Sequence, residues 1–454
     1  VIAASFLHPE PAIWDHLMDT ILWEMVSNTV ILSTGVLALT ALTGVGSAWL
    51  TSVCDFPGRP FFSWALLLPL AIPTYVFAFV FIGLLDFSGP VQTFARDTLL
   101  LGKYRFPEIR SAWGIILVMS LALYPYVYLL ARNAFRTQGT RVLEVASVMG
   151  YGHKKTFLNI ALPMARPWIV SGLMLVLMET LADFGAVSIF NYDTLSTGIY
   201  KCWFGFFSLS AAAQLSSVLL IVVCLTVFAE QRMRARIRYH QVGRISMETT
   251  RIQLTGWAKW SASLGLGIIF TIGFLVPFLR LCSWGITSLQ EELSAKYIGL
   301  LTRSILFAVS AAVVVTLLGL TLAYVNRRYK DPLTSVLVRL STMGYALPGT
   351  VLAVGIVIMI TAADRQLTEI INYIPGIQLN SIVQGTIITV IFAYTVRFMT
   401  LGFNTIHSAM QRLTSSMDDA ARIQGVTGFR LLGIIHMPVL RTGLLTAAIL
   451  VFVD

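Results

Sequence analysis

Long apolar runs constrain the fold of this sequence more than any other feature. Ten runs lie between charged or turn-forming stretches, at 21–50, 61–85, 112–130, 168–190, 211–228, 260–286, 305–324, 336–361, 382–401 and 444–454. A membrane-spanning helix needs about 20 mainly apolar residues, and the last run alone is too short. The sequence therefore predicts an all-α integral membrane protein.

The composition agrees with a lipid environment. Apolar residues make up 56% of the chain and charged residues only 12%, whereas a soluble domain carries about a quarter charged residues. Disordered chains and coiled coils need a polar or strongly periodic composition, which is absent. An ordinary soluble enzyme and both of these classes are therefore excluded.

The positions of Lys and Arg indicate which loops face the cytoplasm, because short loops rich in these residues stay on that side. One set of alternate loops, at 51–60, 131–167, 229–259, 325–332 and 408–441, holds 21 Lys and Arg residues, and the intervening stretches hold 8. The net charge of +10 is therefore predicted to reflect the cytoplasmic face and its lipid headgroups, with no nucleic-acid partner.

The sequence repeats itself at a single offset, because seven pairs of identical residues all differ by 275 in number. The pairs are Gly44 and Gly319, Ala48 and Ala323, Pro73 and Pro348, Ala146 and Ala421, Gly150 and Gly425, Ile160 and Ile435, and Pro163 and Pro438. Matched segments fall on the same predicted side, so the repeats are predicted to be parallel and related by a pseudo-twofold axis along the membrane normal.

We predict two tandem repeats of about six helices each, over residues 1–245 and 246–454. The offset places the run at 260–286 before residue 1 of the first copy, and it leaves 180–228 without a counterpart in the second. The first helix of one repeat and the last helices of the other are therefore expected to be missing from this ten-helix chain.

A predicted cytoplasmic loop carries the best-matched segment of the repeat. The first copy reads Glu144-Val-Ala146, three residues, Gly150, nine residues, then Ile160-Ala-Leu162-Pro163. The second copy reads Asp419-Ala420-Ala421, three residues, Gly425, nine residues, then Ile435-His-Met437-Pro438. Each pattern predicts a short amphipathic helix ended by a glycine in a left-handed turn, a second helix, and a proline re-entering the membrane.

The two loops resemble the EAA loop of permease subunits of binding-protein-dependent ABC importers, whose pattern is E-A-A, three residues, G, nine residues, I-x-L-P. The copies depart from it at Val145, Asp419 and Met437. The resemblance implies a type I ABC importer permease of the bacterial inner membrane, with each loop docked on one of two cytoplasmic ATPase copies. The alternative is a polar helix-turn-helix that merely connects two membrane helices.

The sequence contains no nucleotide-binding motif of the form G-x-x-x-x-G-K-[ST], and Gly102-Lys103 is followed by Tyr104. We therefore expect no catalytic residue, cofactor or assigned metal ligand in this chain. By the resemblance, ATP and Mg²⁺ are bound by the partner ATPase subunits, whose closure switches the permease between two states.

Carboxylates at membrane depth are the candidates for a translocation path. Glu179 and Asp183 follow the first loop along an apolar helix, and Asp454 matches Glu179 at the repeat offset. With a rise of about 1.5 Å per residue, Glu179 lies roughly 18 Å above Pro167, near the bilayer midplane, where carboxylates are costly. Two symmetry-related acids would suit a cation; the alternatives are that they cap broken helices or pair with arginines.

The segment around these acids narrows the substrate. It reads Glu179-Thr-Leu-Ala-Asp183-Phe-Gly185-Ala-Val and continues as Thr197-Gly-Ile-Tyr200-Lys201-Cys-Trp203-Phe-Gly205. This stretch resembles the fused permeases of ferric iron importers, which implies a periplasmic ferric-binding protein as a partner. Importers of thiamine, spermidine or sulfate share the architecture. An ion-gradient-driven secondary transporter with parallel repeats is the alternative of another class.

Several further groups are predicted to have ordinary structural roles. Tyr124, Tyr126 and Tyr128 are predicted to be interfacial anchors rather than the lining of a ferric path. His153 and His436 are predicted to be surface residues of the loops. The four cysteines are predicted to be buried, and the arginines between residues 232 and 238 are predicted to contact lipid headgroups.

Overall fold

The computed structural model of the chain describes residues 11–97, 107–138, 148–235, 251–292, 294–329, 331–373, 381–411, 413, 415–426 and 429–453. Within these residues the regular structure is helical apart from one pair of two-residue strands. The predicted all-α fold class is confirmed.

The first compact unit covers residues 2–288. Its first elements are α1 (Pro11–Thr20), α2 (Leu22–Val53), β1 (Cys54–Asp55), α3 (Arg59–Ala65), a 3₁₀ turn (Leu68–Ala71), α4 (Thr74–Leu85), α5 (Pro90–Asp97) and α6 (Ala112–Gln138). They are followed by α7 (His153–Thr156), a π-turn (Phe157–Ala161), α8 (Leu162–Ala182), α9 (Gly185–Ile189), α10 (Leu195–Tyr200), a π-turn (Lys201–Gly205) and α11 (Leu209–Ala235). Then come β2 (Ile252–Gln253), α12 (Trp257–Phe270), a π-turn (Thr271–Leu275) and α13 (Val276–Glu292), which ends just past the boundary of the unit.

The second compact unit covers residues 289–454. Its elements are α14 (Ala295–Arg328), α15 (Pro332–Ser341), a 3₁₀ turn (Gly344–Ala346), α16 (Gly349–Asn372), α17 (Ile387–Met410), α18 (Ser415–Ile423), α19 (Phe429–Leu431), a π-turn (Leu432–His436) and α20 (Met437–Val453). Helices α14, α17 and α20 pack against one another.

Ten helices among the described residues are long and apolar enough to cross a membrane. The tenth runs over Gly433–Val453, 21 residues, so the expectation that the last apolar run is too short to span is wrong. Two predicted spans, at 61–85 and 336–361, are each broken into a short helix, a 3₁₀ turn and a long helix that begins after Pro73 or Pro348. Proline breaks the run because it lacks an N–H and its ring clashes with the preceding turn.

The repeat offset holds for individual element starts. Three long helices of the first unit have counterparts that start at the matched residue: α4 at Thr74 and α16 at Gly349, α6 at Ala112 and α17 at Ile387, α8 at Leu162 and α20 at Met437. Matched spans are six places apart in chain order, an even number, which agrees with parallel tandem repeats.

The compact units differ from the predicted repeats in where they divide the chain. The boundary lies between residues 288 and 289, because α12 and the π-turn after it pack on α2, α3 and α6 of the first unit. The predicted repeats, 1–245 and 246–454, were divided by sequence similarity and not by packing. Their boundary stays a prediction.

The core of the first unit forms where α2 and α6 cross. A Cβ added at Gly44 would lie 2.8 Å from Val127 Cβ and 3.0 Å from the Tyr124 carbonyl oxygen, so this glycine permits the close approach. Tyr124 and Tyr128 are completely buried there, and the Tyr128 hydroxyl donates to the Ser63 carbonyl at 3.0 Å. The prediction that these two tyrosines are interfacial anchors is therefore wrong.

The same helix crossing recurs in the second unit. A Cβ added at Gly319 would lie 3.3 Å from the Phe403 nitrogen and 3.4 Å from the Gly402 carbonyl carbon. These two residues match Tyr128 and Val127 of the first copy at the repeat offset. The repeat therefore preserves a packing contact as well as the starts of three helices.

The cysteines divide into two classes. Cys54 and Cys202 are buried, as predicted, whereas Cys224 and Cys282 are exposed. The exposed pair lies on the long apolar helices α11 and α13, where an apolar thiol is at no disadvantage on a surface that faces lipid. The prediction of burial is wrong for these two.

Candidate functional site

The first loop forms the predicted glycine turn. The described part begins at Val148, and Gly150 has a φ of +67° with no heavy atom within 4 Å of an added Cβ. The chain then enters α7, the π-turn and α8, in which Pro163 occupies the first turn. Ile160 and Leu162 pack against the core of the first unit. Glu144 and Ala146 lie outside the described residues, so their predicted role stays a prediction.

The second loop repeats this geometry. Asp419 and Ala420 are exposed on α18, whereas Ala421 is buried. Gly425 follows with a φ of +76° and open space around it. The π-turn at 432–436, which contains Ile435, matches the π-turn at 157–161 at the repeat offset, and Pro438 is the second residue of α20. We call residues 148–156 the first knob and residues 415–426 the second knob.

An exposed aliphatic side chain stands two residues before the glycine in each knob. Val148 is 88% exposed and Ile423 is 87% exposed, and the two positions match at the repeat offset. Both lie outside the candidate membrane spans. Sequence reasoning missed them, although an aliphatic residue at matched positions in two polar loops was a visible signal. Single exposed apolar residues are ordinary on a protein surface, so it is the recurrence at matched positions of two loops that distinguishes this pair.

A cluster of three polar side chains holds the second knob. The Asp418 carboxylate accepts a hydrogen bond from Arg327 Nη2 at 2.6 Å through one oxygen. Its other oxygen lies 2.8 Å from His436 Nε2. His436 is 2% exposed, so the prediction that it is a surface residue is wrong. The side chain of His153, its predicted companion, lies outside the described residues.

The two described acids of the predicted path have different surroundings. Asp183 follows the end of α8, and its carboxylate accepts hydrogen bonds from the Thr74 hydroxyl at 2.5 Å and the Ala186 N–H at 2.8 Å. It therefore caps α9, which was the alternative to a path-lining role. Glu179 lies in the last turn of α8 and is half-buried, while Asp454 lies outside the described residues.

No metal site accompanies these acids in the part of the chain that the structure describes, since no group of three His, Cys, Asp or Glu side chains comes together there. The lining of a path by Glu179, Asp183 and Asp454 stays a prediction.

The ten apolar helices of the described residues, in two tandem repeats that each carry an exposed glycine-turn knob, define the class of this protein as a multi-pass membrane protein. The model of the family described as binding-protein-dependent transport system inner membrane component matches residues 41–235 and 315–454. The chain belongs to this family, and the starts of the two matches agree with the repeat offset to within one position.

Individual relatives carry more specific names. The chain is 26% identical over 435 residues to the Fe(3+)-transport system permease protein FbpB 2 of Haemophilus influenzae, covering 95% of this chain and 79% of that protein. It is 24% identical over 452 residues to the ferric transport system permease protein FbpB of Actinobacillus pleuropneumoniae, and it spans 63% of that protein's length. A molybdate/tungstate transport system permease protein, WtpB of Thermococcus kodakarensis, is 26% identical over 176 residues, 39% of this chain.

Proposed function

We propose that this chain is the permease of an ATP-driven importer of ferric iron in a bacterial inner membrane. Its two knobs dock on two copies of a cytoplasmic ATPase, and a periplasmic binding protein delivers the ion from the other side. Relatives along 95% of the chain are named as ferric permeases, whereas the molybdate/tungstate permease matches a smaller part. ATP and Mg²⁺ are bound by the ATPase.

The exposed aliphatic residues of the knobs carry this proposal. Val148 and Ile423 each stand beside an unobstructed left-handed glycine. Leaving one such side chain in water instead of in a contact costs about 1.5–3 kcal/mol. A pair at equivalent positions of two repeats fits two identical pockets, which is what two copies of one partner would provide.

Each knob is followed along the chain by a helix of the membrane bundle. The first knob ends with α7 and leads through the π-turn into α8, which packs on α2 and α6. The second knob is followed, from Phe429 on, by α19, its π-turn and α20, which packs on α14 and α17. Because these cores are close-packed, a displacement of a knob moves its helix set as a body rather than being absorbed locally.

Cation passage accounts best for the acids that follow the first knob. Glu179 sits in the last turn of α8, and Asp183 fixes the start of α9 immediately after it. Carboxylate oxygens are ligands suited to a hard, highly charged cation, and a carboxylate at membrane depth carries a desolvation cost. Glu179, and Asp454 at its matched position, are proposed to line the path, with Asp183 shaping its wall.

The knob proposal is tested with the full-length permease co-expressed with its ATPase. V148D and I423D place a carboxylate in the proposed pocket, and burying it there costs several kcal/mol, so ATPase retention after detergent purification should fall at least tenfold. Y373D is the control, because Tyr373 is 89% exposed at the opposite membrane face by the predicted topology, and it should retain the ATPase. ATPase retention that survives both knob changes would refute docking through the knobs. A wild-type permease that never retains an ATPase, with uptake that survives both changes, would favour a secondary transporter.

The substrate proposal needs a separate assay. Cells that depend on this permease are given labelled ferric iron, thiamine or molybdate, and uptake is measured in each case. Iron uptake should exceed the others and should fall in E179Q, while ATPase retention stays normal. Thiamine or molybdate uptake independent of iron would overturn the substrate but leave the knob proposal intact.

A further inference from the structure

The second knob is attached to its helix bundle through a single carboxylate. Asp418 lies on α18, Arg327 in the last turn of α14, and His436 at the end of the π-turn before α20. The three groups come from separate elements, and both oxygens of Asp418 are used, at 2.6 Å and 2.8 Å. Asp418 therefore joins the knob to two membrane helices at once.

The burial of the cluster makes this attachment stronger than a surface ion pair. The side chain of His436 is 2% exposed, and those of Arg327 and Asp418 are 21% and 20% exposed. Solvent and salt screen partly buried pairs less than exposed ones. Since an ionised carboxylate can only accept hydrogen bonds, His436 donates through Nε2–H, which fixes its ring orientation.

The sequence of the first repeat does not reproduce this cluster. The positions that match Asp418, Arg327 and His436 at the repeat offset hold Leu143, Ser52 and Ala161. Leu143 lies outside the described residues, Ala161 is completely buried, and the Ser52 hydroxyl donates to the Arg132 carbonyl. An ion pair cannot form between residues of these types at the three matched positions, so the first repeat has no equivalent of this joint there.

We propose that Asp418 is a positioning residue that ties the second knob, and not the first, to the ends of α14 and α20. The consequence is asymmetric coupling, in which force from an ATPase reaches the second helix set through an ionic joint that the matched positions of the first repeat cannot form. The mechanical part of this inference rests on the proposed function, whereas the attachment itself does not.

Coupling is measured with the full-length permease and its ATPase in liposomes, as ions taken up per ATP hydrolysed. D418N keeps the shape of the side chain but removes its charge, and we expect a roughly three- to tenfold lower ratio, because breaking a partly buried pair costs more than breaking a surface pair. D418E should recover the ratio to within about twofold, since it restores the carboxylate.

The matched control removes an exposed ion pair. Arg365 and Glu369 lie 3.8 Å apart with side chains 80% and 69% exposed, so E369Q should leave the ratio unchanged. H436A and H436Q form a second series in case D418N assembles poorly. Glutamine keeps a donor near the carboxylate and should retain more coupling than alanine.

A spin label on the exposed Ser416 reports the attachment without any transport. D418N should make this label markedly more mobile, while a label on Met149 of the first knob should not respond to the same change. This inference alone is wrong if D418N changes neither the mobility of the label nor the number of ions taken up per ATP, while I423D still abolishes ATPase retention. If uptake does not depend on an ATPase at all, the proposed function is wrong. The mobility of the spin label then decides alone whether Asp418 attaches the second knob.

Discussion

Replacing the knob glycines should impair coupling through backbone conformation rather than through side-chain bulk. Gly425 has a φ of +76° and Gly150 a φ of +67°, with no heavy atom within 4 Å of an added Cβ in either case. Alanine therefore meets no steric clash at these positions. The alanine substitution instead costs conformational free energy, about 1–2 kcal/mol, because a residue with a Cβ is strained in the left-handed region.

The size of the effect follows from this cost. A difference of about 1–2 kcal/mol reduces the population of the native turn roughly fivefold to thirtyfold relative to competing conformations. Asparagine tolerates the left-handed region better than alanine because its side chain bonds locally. Coupling should therefore rank glycine above asparagine above alanine at position 425, although asparagine is the larger residue.

The assay is uptake per ATP hydrolysed, measured for G425A and G425N in liposomes with the ATPase present. Gly385 provides the control, because it has a φ of +78° and equally open surroundings but lies in a loop between α16 and α17, outside both knobs. G385A carries the same backbone cost and should leave the ratio unchanged. Equal losses in G385A and G425A, or a greater loss in G425N than in G425A, would refute the argument.

Three further predictions concern stability and reactivity. G44A should lower the melting temperature of the detergent-solubilised protein more than G319A, because its Cβ would meet Val127 and backbone at 2.8–3.0 Å rather than at 3.2–3.4 Å; the reverse order would contradict the packing described. D183A should disturb the start of α9 and cost about 0.5–2 kcal/mol, whereas D183N keeps a capping oxygen and should cost less, as measured by urea unfolding. Burial raises the pKa of the Cys54 thiol to about 11, so its thiolate fraction at pH 8 is about 10⁻³ and maleimide should label it only after unfolding; rapid labelling of the native protein would contradict this.

The repeat pattern predicted the site better than any single motif did. It placed Gly150 and Gly425 at turns that both adopt positive φ, because a left-handed turn is a local backbone requirement that glycine meets. It also aligned the starts of the long helices. Local signals of this kind can be read from sequence since they depend on neighbouring residues alone.

Tertiary contacts account for what the sequence did not show. His436 was predicted to be on the surface because it lies in a polar loop, but the Asp418 carboxylate bonds to its ring and permits its burial. Tyr124 and Tyr128 looked like interfacial anchors because tyrosine is typical of helix ends, and the small Gly44 on another helix allows them into the core. Each error reflects a partner distant in sequence.

The paired π-turns at 157–161 and 432–436 bear on the history of the molecule. A π-turn arises when one residue is inserted into an α-helix, and it rotates everything beyond it by about a quarter of a turn or slightly more. Two independent insertions would have no reason to fall at the same register. The shared register is accounted for by one repeat sequence that already contained the turn, so the change of direction after each knob belongs to the repeat itself and not to either copy.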